Sequence, residues 1–67
     1  MEHTMCEFTV FLEEDGEKKE IASNVVKAKR KDGKVILTDA SGSLKKIDKA
    51  TIEVVDTLMQ ELVLKKE

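Results

Sequence analysis

Three dipeptides that favour tight turns divide the sequence at regular intervals. Asp15-Gly16, Asp32-Gly33 and Ser41-Gly42 contain residues that tolerate the positive φ of hairpin turns. The segments between them alternate apolar and polar residues, which is the period of a half-buried strand. No proline interrupts these segments. The pattern predicts an all-β fold of mostly antiparallel strands joined by tight hairpins.

Five segments are predicted as strands before the C-terminal third. In the first, Cys6, Phe8, Val10 and Leu12 are expected to share one side. In the third, Val26 and Ala28 are expected to point the same way, and in the fourth Val35 and Leu37 are expected to share one side. The five segments are residues 6–12, 18–22, 25–30, 34–39 and 43–47.

Residues 50–64 fit two different structures. One amphipathic helix of about four turns is possible, with Asp48 as its N-cap, because Ile52, Val55, Leu58 or Met59, and Leu62 lie at helical spacing. The segments 51–55 and 61–65 are instead rich in residues that favour strands, with Ile52 and Val54 alternating in the first and Leu62 and Leu64 in the second. Periodicity alone does not decide between them.

The size and composition limit the classes of function. With 67 residues the chain forms a single small domain, and domains of this size often need a metal or self-association for stability. The net charge of -2 gives no overall attraction to phosphate. The N-terminus lacks the pattern of a signal peptide and no segment has the roughly 20 apolar residues of a membrane helix, so we expect a cytoplasmic protein.

Cys6 is the one cysteine, and it lies close to the N-terminus. A thiolate beside main-chain nitrogen atoms offers the sulfur and nitrogen donors that suit Ni(II) or Cu(II). The alternative is that Cys6 is a small buried side chain in the core with Phe8 and Val10. A catalytic role would require a base beside the thiol, and no phosphate loop or cofactor motif occurs, so we predict a protein that is not an enzyme.

From Met5 onward the sequence resembles the CooT-type family of small nickel-binding proteins, which have also been labelled predicted RNA-binding proteins. The order and spacing of several segments carry this resemblance, although none is diagnostic by itself. The segments are Met5-Cys6, Thr9 to Gly16, Asn24-Val25-Val26, Asp32 to Asp39, Ile52 to Asp56 and Leu62-Val63-Leu64.

The resemblance implies a small barrel of five to six strands over residues 5–66, with two strands rather than a helix at residues 50–64. It also implies a homodimer that binds Ni(II) through the cysteine following the initiator methionine, which is Cys6 here. Removal of Met5 would give Cys6 a free amine, and two such ends would complete a shared nickel site. The implied role is nickel trafficking or homeostasis, with a nickel enzyme such as carbon monoxide dehydrogenase, or its maturation proteins, as partners.

Residues 1–4 depart from this pattern, because they place Cys6 inside the chain. We expect them to be an N-terminal extension, either disordered or left from cloning. The extension has a possible site of its own, since a free amine, two amides and the imidazole of His3 form a square-planar chelate for Cu(II) or Ni(II). The predicted metal ligands are therefore Cys6 and His3.

A basic hairpin supports RNA binding as the alternative function. It spans residues 27–34 and contains Lys27, Lys29, Arg30, Lys31 and Lys34, with Lys45 and Lys46 as a possible extension. Proteins that read single strands usually stack bases on aromatic side chains, and Phe8 and Phe11 both lie outside the hairpin. Lysines on an edge strand also prevent sheets from pairing with one another, which gives a structural explanation of the same residues.

Overall fold

The computed structural model describes residues 7–67, and all regular structure within them is β-strand. Six strands form one sheet in the order β4-β3-β2-β1-β6-β5. The strands are β1 Phe8–Glu14, β2 Glu17–Lys31, β3 Lys34–Asp39, β4 Leu44–Asp48, β5 Ala50–Asp56 and β6 Glu61–Lys66. The pairing is antiparallel except between β1 and β6, which are parallel. The all-β prediction is confirmed.

The first two turns have the conformation predicted from their sequences. Asp15 and Gly16 have φ of 54° and 79°, and Asp32 and Gly33 have φ of 55° and 75°. Two consecutive residues with positive φ form a two-residue turn whose twist matches that of the flanking strands. These turns fix the β1–β2 and β2–β3 registers.

The second strand differs from the prediction of two separate pieces. It runs unbroken for 15 residues, although its register shifts beside Ala22 and again between Val25 and Lys27. Because of the shifts, Val25 is the buried core residue at 3% exposure, whereas Val26 is 38% exposed. The burial of Val25 in place of Val26 was not predicted, since alternation does not reveal a bulge.

Residues 50–64 form strands, not a helix. Strand β5 pairs with β6 across a four-residue turn, and the register shifts between Ile52 and Val54. This irregularity puts Ile52, opposite Leu64, on the core side and Val54, opposite Val63, on the outer side. The predicted simple alternation of Ile52 and Val54 was wrong for the same reason as in β2.

The sheet curls into a half-barrel because its two edge strands, β4 and β5, are joined by a single residue. Lys49, with φ of 54°, makes this joint. The amide of Ala50 donates to the carbonyl of Gly33 (3.2 Å), and Arg30 Nε donates to the carbonyl of Ala50 (3.4 Å). Both edges therefore meet at this end, which we call the closed end.

The core lies on the concave side of the curled sheet. Side chains from five of the six strands meet there and are almost completely buried: Val10, Val25, Val35, Leu37, Ala50, Leu62 and Leu64. Phe8, Leu12 and Ile47 pack against them. Away from the closed end the concavity is incompletely filled, and this open end carries the candidate site.

Candidate functional site

The predicted metal ligands Cys6 and His3 lie outside the described residues, which begin with Glu7. Glu7 is half-buried, and its Oε1 atom accepts a hydrogen bond from Nδ2 of Asn24 (2.7 Å). Asn24 has φ of 56°, and its carbonyl accepts from the amide of Ala40 (2.9 Å). Asn24 thus links the start of β1 to the β3–β4 turn.

The start of β1 also lies beside the β5–β6 turn. The amide of Thr9 donates to the carbonyl of Gln60 at 3.0 Å, and the parallel ladder begins with Thr9 opposite Glu61. The segment that follows Cys6 is therefore held between β2 and the β5–β6 turn, at the open end.

An apolar cleft of about 230 Å³ occupies this end. Phe8, Val25, Ile52, Val55 and Leu62 are among the side chains that line it. Val55 is 57% exposed. A cavity of this composition gives little for a polar ligand to bind, so it is best suited to contact with apolar side chains.

The β5–β6 turn presents two further apolar side chains to solvent. Leu58 is 88% exposed and Met59 is 62% exposed. The carboxylate of Asp56 accepts hydrogen bonds from the amides of Leu58 (3.1 Å) and Met59 (3.0 Å), which fixes the turn. In the helical interpretation of the sequence, Leu58 or Met59 belongs to the apolar side of the helix. Asp56 is the residue that could have indicated a turn instead, because Asp side chains accept hydrogen bonds from nearby backbone amides in turns.

The β3–β4 turn completes the rim of the open end. Oδ1 of Asp39 accepts from the hydroxyl of Ser41 (2.7 Å) and from the amides of Ser41 and Ser43 (both 3.0 Å). Because these donors stabilise the ionised carboxylate, chiefly the Ser41 hydroxyl, the pKa of Asp39 is below its ordinary value.

Carboxylates alone do not form a metal site in the part of the chain that the structure describes. Glu14, Asp15 and Glu17 at the β1–β2 turn are exposed. Within residues 7–67, no three His, Cys, Asp or Glu side chains are close enough together to hold a metal ion.

The structure separates the residues of the basic hairpin. Lys27, Lys29, Lys31 and Lys34 lie on the convex side of the sheet, whereas Arg30 pairs with Val35 on the core side. Lys46 joins the four lysines, because it lies opposite Ile36, which lies opposite Lys29. We call these five residues the lysine face.

Arg30 has a structural role at the closed end. Besides its bond to the carbonyl of Ala50, its Nη2 atom lies 3.3 Å from Oε2 of Glu67. The C-terminal residues are further tied by the amide of Glu67, which donates to the carbonyl of Lys49 at 2.7 Å. Arg30 therefore lies apart from the lysines of the predicted nucleic-acid surface.

The fold and site define a class of small half-barrel proteins with an apolar open end beside the start of β1. Residues 5–65 match the model of the family described as CO dehydrogenase accessory protein CooT, and the chain belongs to this family. The predicted resemblance is confirmed. No curated protein matches the sequence.

A solved structure has the same fold. It is the crystal structure of a protein assigned as CooT from Carboxydothermus hydrogenoformans, with a TM-score of 0.80 and 21% sequence identity. The alignment covers 92% of this chain and 98% of that one. This likeness confirms the small barrel architecture.

Residues 7–67 contain no helix capable of crossing a membrane.

Proposed function

We propose that this protein is a nickel-binding accessory protein of carbon monoxide dehydrogenase, and that it holds Ni(II) as cargo through Cys6. The observation that carries the proposal is membership of the CooT family, since the matched region begins at Met5 and includes Cys6 as its second residue. In this proposal the protein acts in the cytoplasm and is not an enzyme.

The chemistry of the N-terminus supports Cys6 more than His3 as the biological ligand. His3 lies before the matched region, whereas Cys6 lies within it. A chain that begins at Cys6 has an amine and a thiolate on the same residue, and together they form a five-membered chelate ring with the metal. The thiolate supplies negative charge and a soft donor, both of which imidazole lacks.

A homodimer would complete the nickel coordination, and the open end offers an apolar surface for it. Val55, Leu58 and Met59 are exposed there beside the cleft. In an alternative dimer, the β5 edges of the two chains would pair antiparallel. That pairing would put the two β5–β6 turns at opposite ends of the strand pair, roughly 20 Å apart. Contact between open ends brings the two β1 starts together, so we propose that arrangement.

Calorimetry and absorption spectroscopy with Ni(II) test the proposal on two versions of the chain. The version that starts at Met5, with this methionine removed, is expected to bind one Ni(II) per dimer. Cys6→Ser in that version should abolish tight binding while the fold persists, because a hydroxyl is a poor nickel ligand. Binding should weaken on acidification, since protons compete for the thiolate and the amine.

The 67-residue chain provides the matched comparison. There, His3→Ala should remove most of the Ni(II) binding and Cys6→Ser little of it, because Cys6 has no free amine. Unchanged nickel binding by the Met5-start Cys6→Ser protein would refute the proposed site and indicate that Cys6 is a core residue.

A further inference from the structure

The lysine face gathers positive charge on one side of an acidic protein. On the convex side of β2, β3 and β4, three rows of side chains lie across the strands, namely Lys27–Thr38–Leu44, Lys29–Ile36–Lys46 and Lys31–Lys34–Asp48. Asp48 is the one carboxylate in these rows. All five lysines are exposed.

The lysines are not neutralised by ion pairs. The one salt bridge among residues 7–67 joins Arg30 and Glu67 at the closed end. The nearby Lys45 and Lys66 are used differently, since their Nζ atoms donate to the carbonyls of Ile21 (2.8 Å) and Asp48 (2.9 Å). The charge of the lysine face is therefore free to act on a partner.

Protection of a sheet edge does not explain four of these lysines. Strands β2 and β3 are both interior strands of the sheet, and they carry Lys27, Lys29, Lys31 and Lys34. Lysines prevent unwanted pairing when they lie on edge strands. In this sheet that explanation applies to Lys46 on β4 and not to the lysines on β2 and β3.

We propose that the lysine face is a docking surface for an acidic protein surface with an apolar contact at its centre. Ile36 is half-buried between Lys29 and Lys46, and Leu44 on the same face is 64% exposed. An apolar centre with a charged surround is typical of protein interfaces. In the proposed function, the partner is the enzyme that receives nickel, so this inference rests on that function.

The composition of the face favours a protein over RNA. Bases stack on aromatic side chains or on arginine. Phe8 packs on the core, Phe11 lies on β1 beneath Lys18, and Arg30 faces the core, so none of them belongs to the three rows. Lysine charges accelerate the encounter with an acidic partner, and the effect decreases with added salt.

The area is small enough for a transient complex. Three strands span about 10 Å, and the five residues of each strand segment span about 13 Å. A face of this size is well below the roughly 800 Å² per partner of a standard interface, so a complex formed through it is expected to be weak and short-lived. A protein that delivers cargo and then leaves requires such a complex.

The test measures binding of nickel-free carbon monoxide dehydrogenase from the same organism, by biolayer interferometry at about 50 and 200 mM salt. Replacement of Lys27, Lys29 and Lys31 by Gln should weaken binding at low salt by about tenfold or more and flatten its salt dependence. The matched control replaces Lys18, Lys19 and Lys65, which lie off the face, and should change binding less than about twofold. Leu44→Ser should weaken binding several-fold, because it removes the apolar contact.

Three outcomes would overturn the inference. The first is that the enzyme does not bind at low salt, and the second is that the two triple variants have equal effects. The third is that a 12-nucleotide oligouridine binds instead of the enzyme and that its binding depends on the same lysines.

Nickel binding is also measured on every variant, to separate the docking surface from the proposed metal site. The lysine variants should retain nickel binding, because the lysines are distant in sequence from Cys6. If docking fails while nickel binding through Cys6 persists, this inference is wrong and the proposed metal site stands. If Cys6→Ser abolishes nickel binding but leaves docking unchanged, both are supported.

Discussion

At the scale of single residues, a few polar side chains organise the turns around the open end. Asn24, Asp39 and Asp56 each accept or donate hydrogen bonds that fix a turn or link two strands. Asn and Asp are suited to this role because their short side chains bond to backbone groups nearby. The hydrogen bonds of Asp56 explain why the β5–β6 turn keeps its conformation although Leu58 and Met59 are exposed.

Asp39 should give the stability of the protein a measurable dependence on acid. Since its pKa in the folded state is lowered, mainly by the Ser41 hydroxyl and also by the Ser43 amide, its contribution is present above its unfolded pKa and is lost as the pH falls through the folded value. We expect Asp39→Asn to lower the thermal midpoint at pH 6 but to approach the wild type below about pH 3. Thermal unfolding between pH 2.5 and 6 measures this. A constant difference between the two proteins across that range would contradict it.

At the scale of elements, the joint between β4 and β5 converts the sheet into a half-barrel. Lys49 adopts the left-handed conformation there, and its carbonyl accepts from the amide of Glu67. In L-residues this conformation costs about 1–2 kcal/mol, whereas glycine adopts it freely. The strain is tolerated because the bonds at the closed end hold the joint in place.

Substitution of Lys49 tests this account of the joint. Lys49→Gly should raise the free energy of unfolding by about 0.5 kcal/mol, because relief of strain exceeds the added entropy of the unfolded chain. Lys49→Val should lower it by more than about 1 kcal/mol, since branched side chains are poorly suited to positive φ. Urea unfolding measures both.

A matched control for Lys49 lies in a strand. Lys34→Gly should lower the free energy of unfolding by about 0.5–1 kcal/mol, because glycine weakens an extended segment. If both glycine variants destabilise the protein equally, the left-handed joint stores no strain.

At the scale of the whole molecule, the exposed apolar side chains are concentrated on one part of the surface. Of the seven large hydrophobic residues that are exposed within residues 7–67, five belong to β5 and the turn after it: Ile52, Val54, Val55, Leu58 and Met59. The lysine face lies on the convex side of other strands, β2 to β4, and Lys27 is its one member that also lines the cleft. The proposed surfaces for self-association and for docking therefore adjoin at Lys27 and are otherwise separate.

The proposed dimer should depend on the β5–β6 turn. Light scattering at micromolar concentration should report twice the chain mass of 7.5 kDa for the unaltered protein. Leu58→Ser together with Met59→Ser should shift the measured mass to that of the monomer. These exposed side chains contribute little to the stability of the monomer, but they bury apolar area when two chains associate.

Leu44→Ser is the control for the dimer experiment, since Leu44 is 64% exposed but lies on the lysine face. It should leave the dimer intact. A monomer in the unaltered protein would count against the dimer and against a nickel site shared between two cysteines.

The sequence determined the local features of this protein. Asp15-Gly16 and Asp32-Gly33 predicted their turns correctly, because the conformation of a two-residue hairpin depends on the residues within it. Alternation likewise placed Val35 and Leu37 on the buried side of β3. The family and the all-β class were also evident from the order of these segments.

The tertiary structure decided the features that depend on contacts between distant segments. Within residues 50–64, β5 pairs with β6, and β6 also pairs in parallel with β1. This second contact, with a strand far away in the sequence, favoured strands over a helix. The bulges in β2 and β5, which buried Val25 and moved Val54 to the outer side, arise from fitting a curled sheet. The register of β2, β3 and β4 likewise decided that Lys46, and not Lys45, joins the lysine face and that Arg30 lies apart from it.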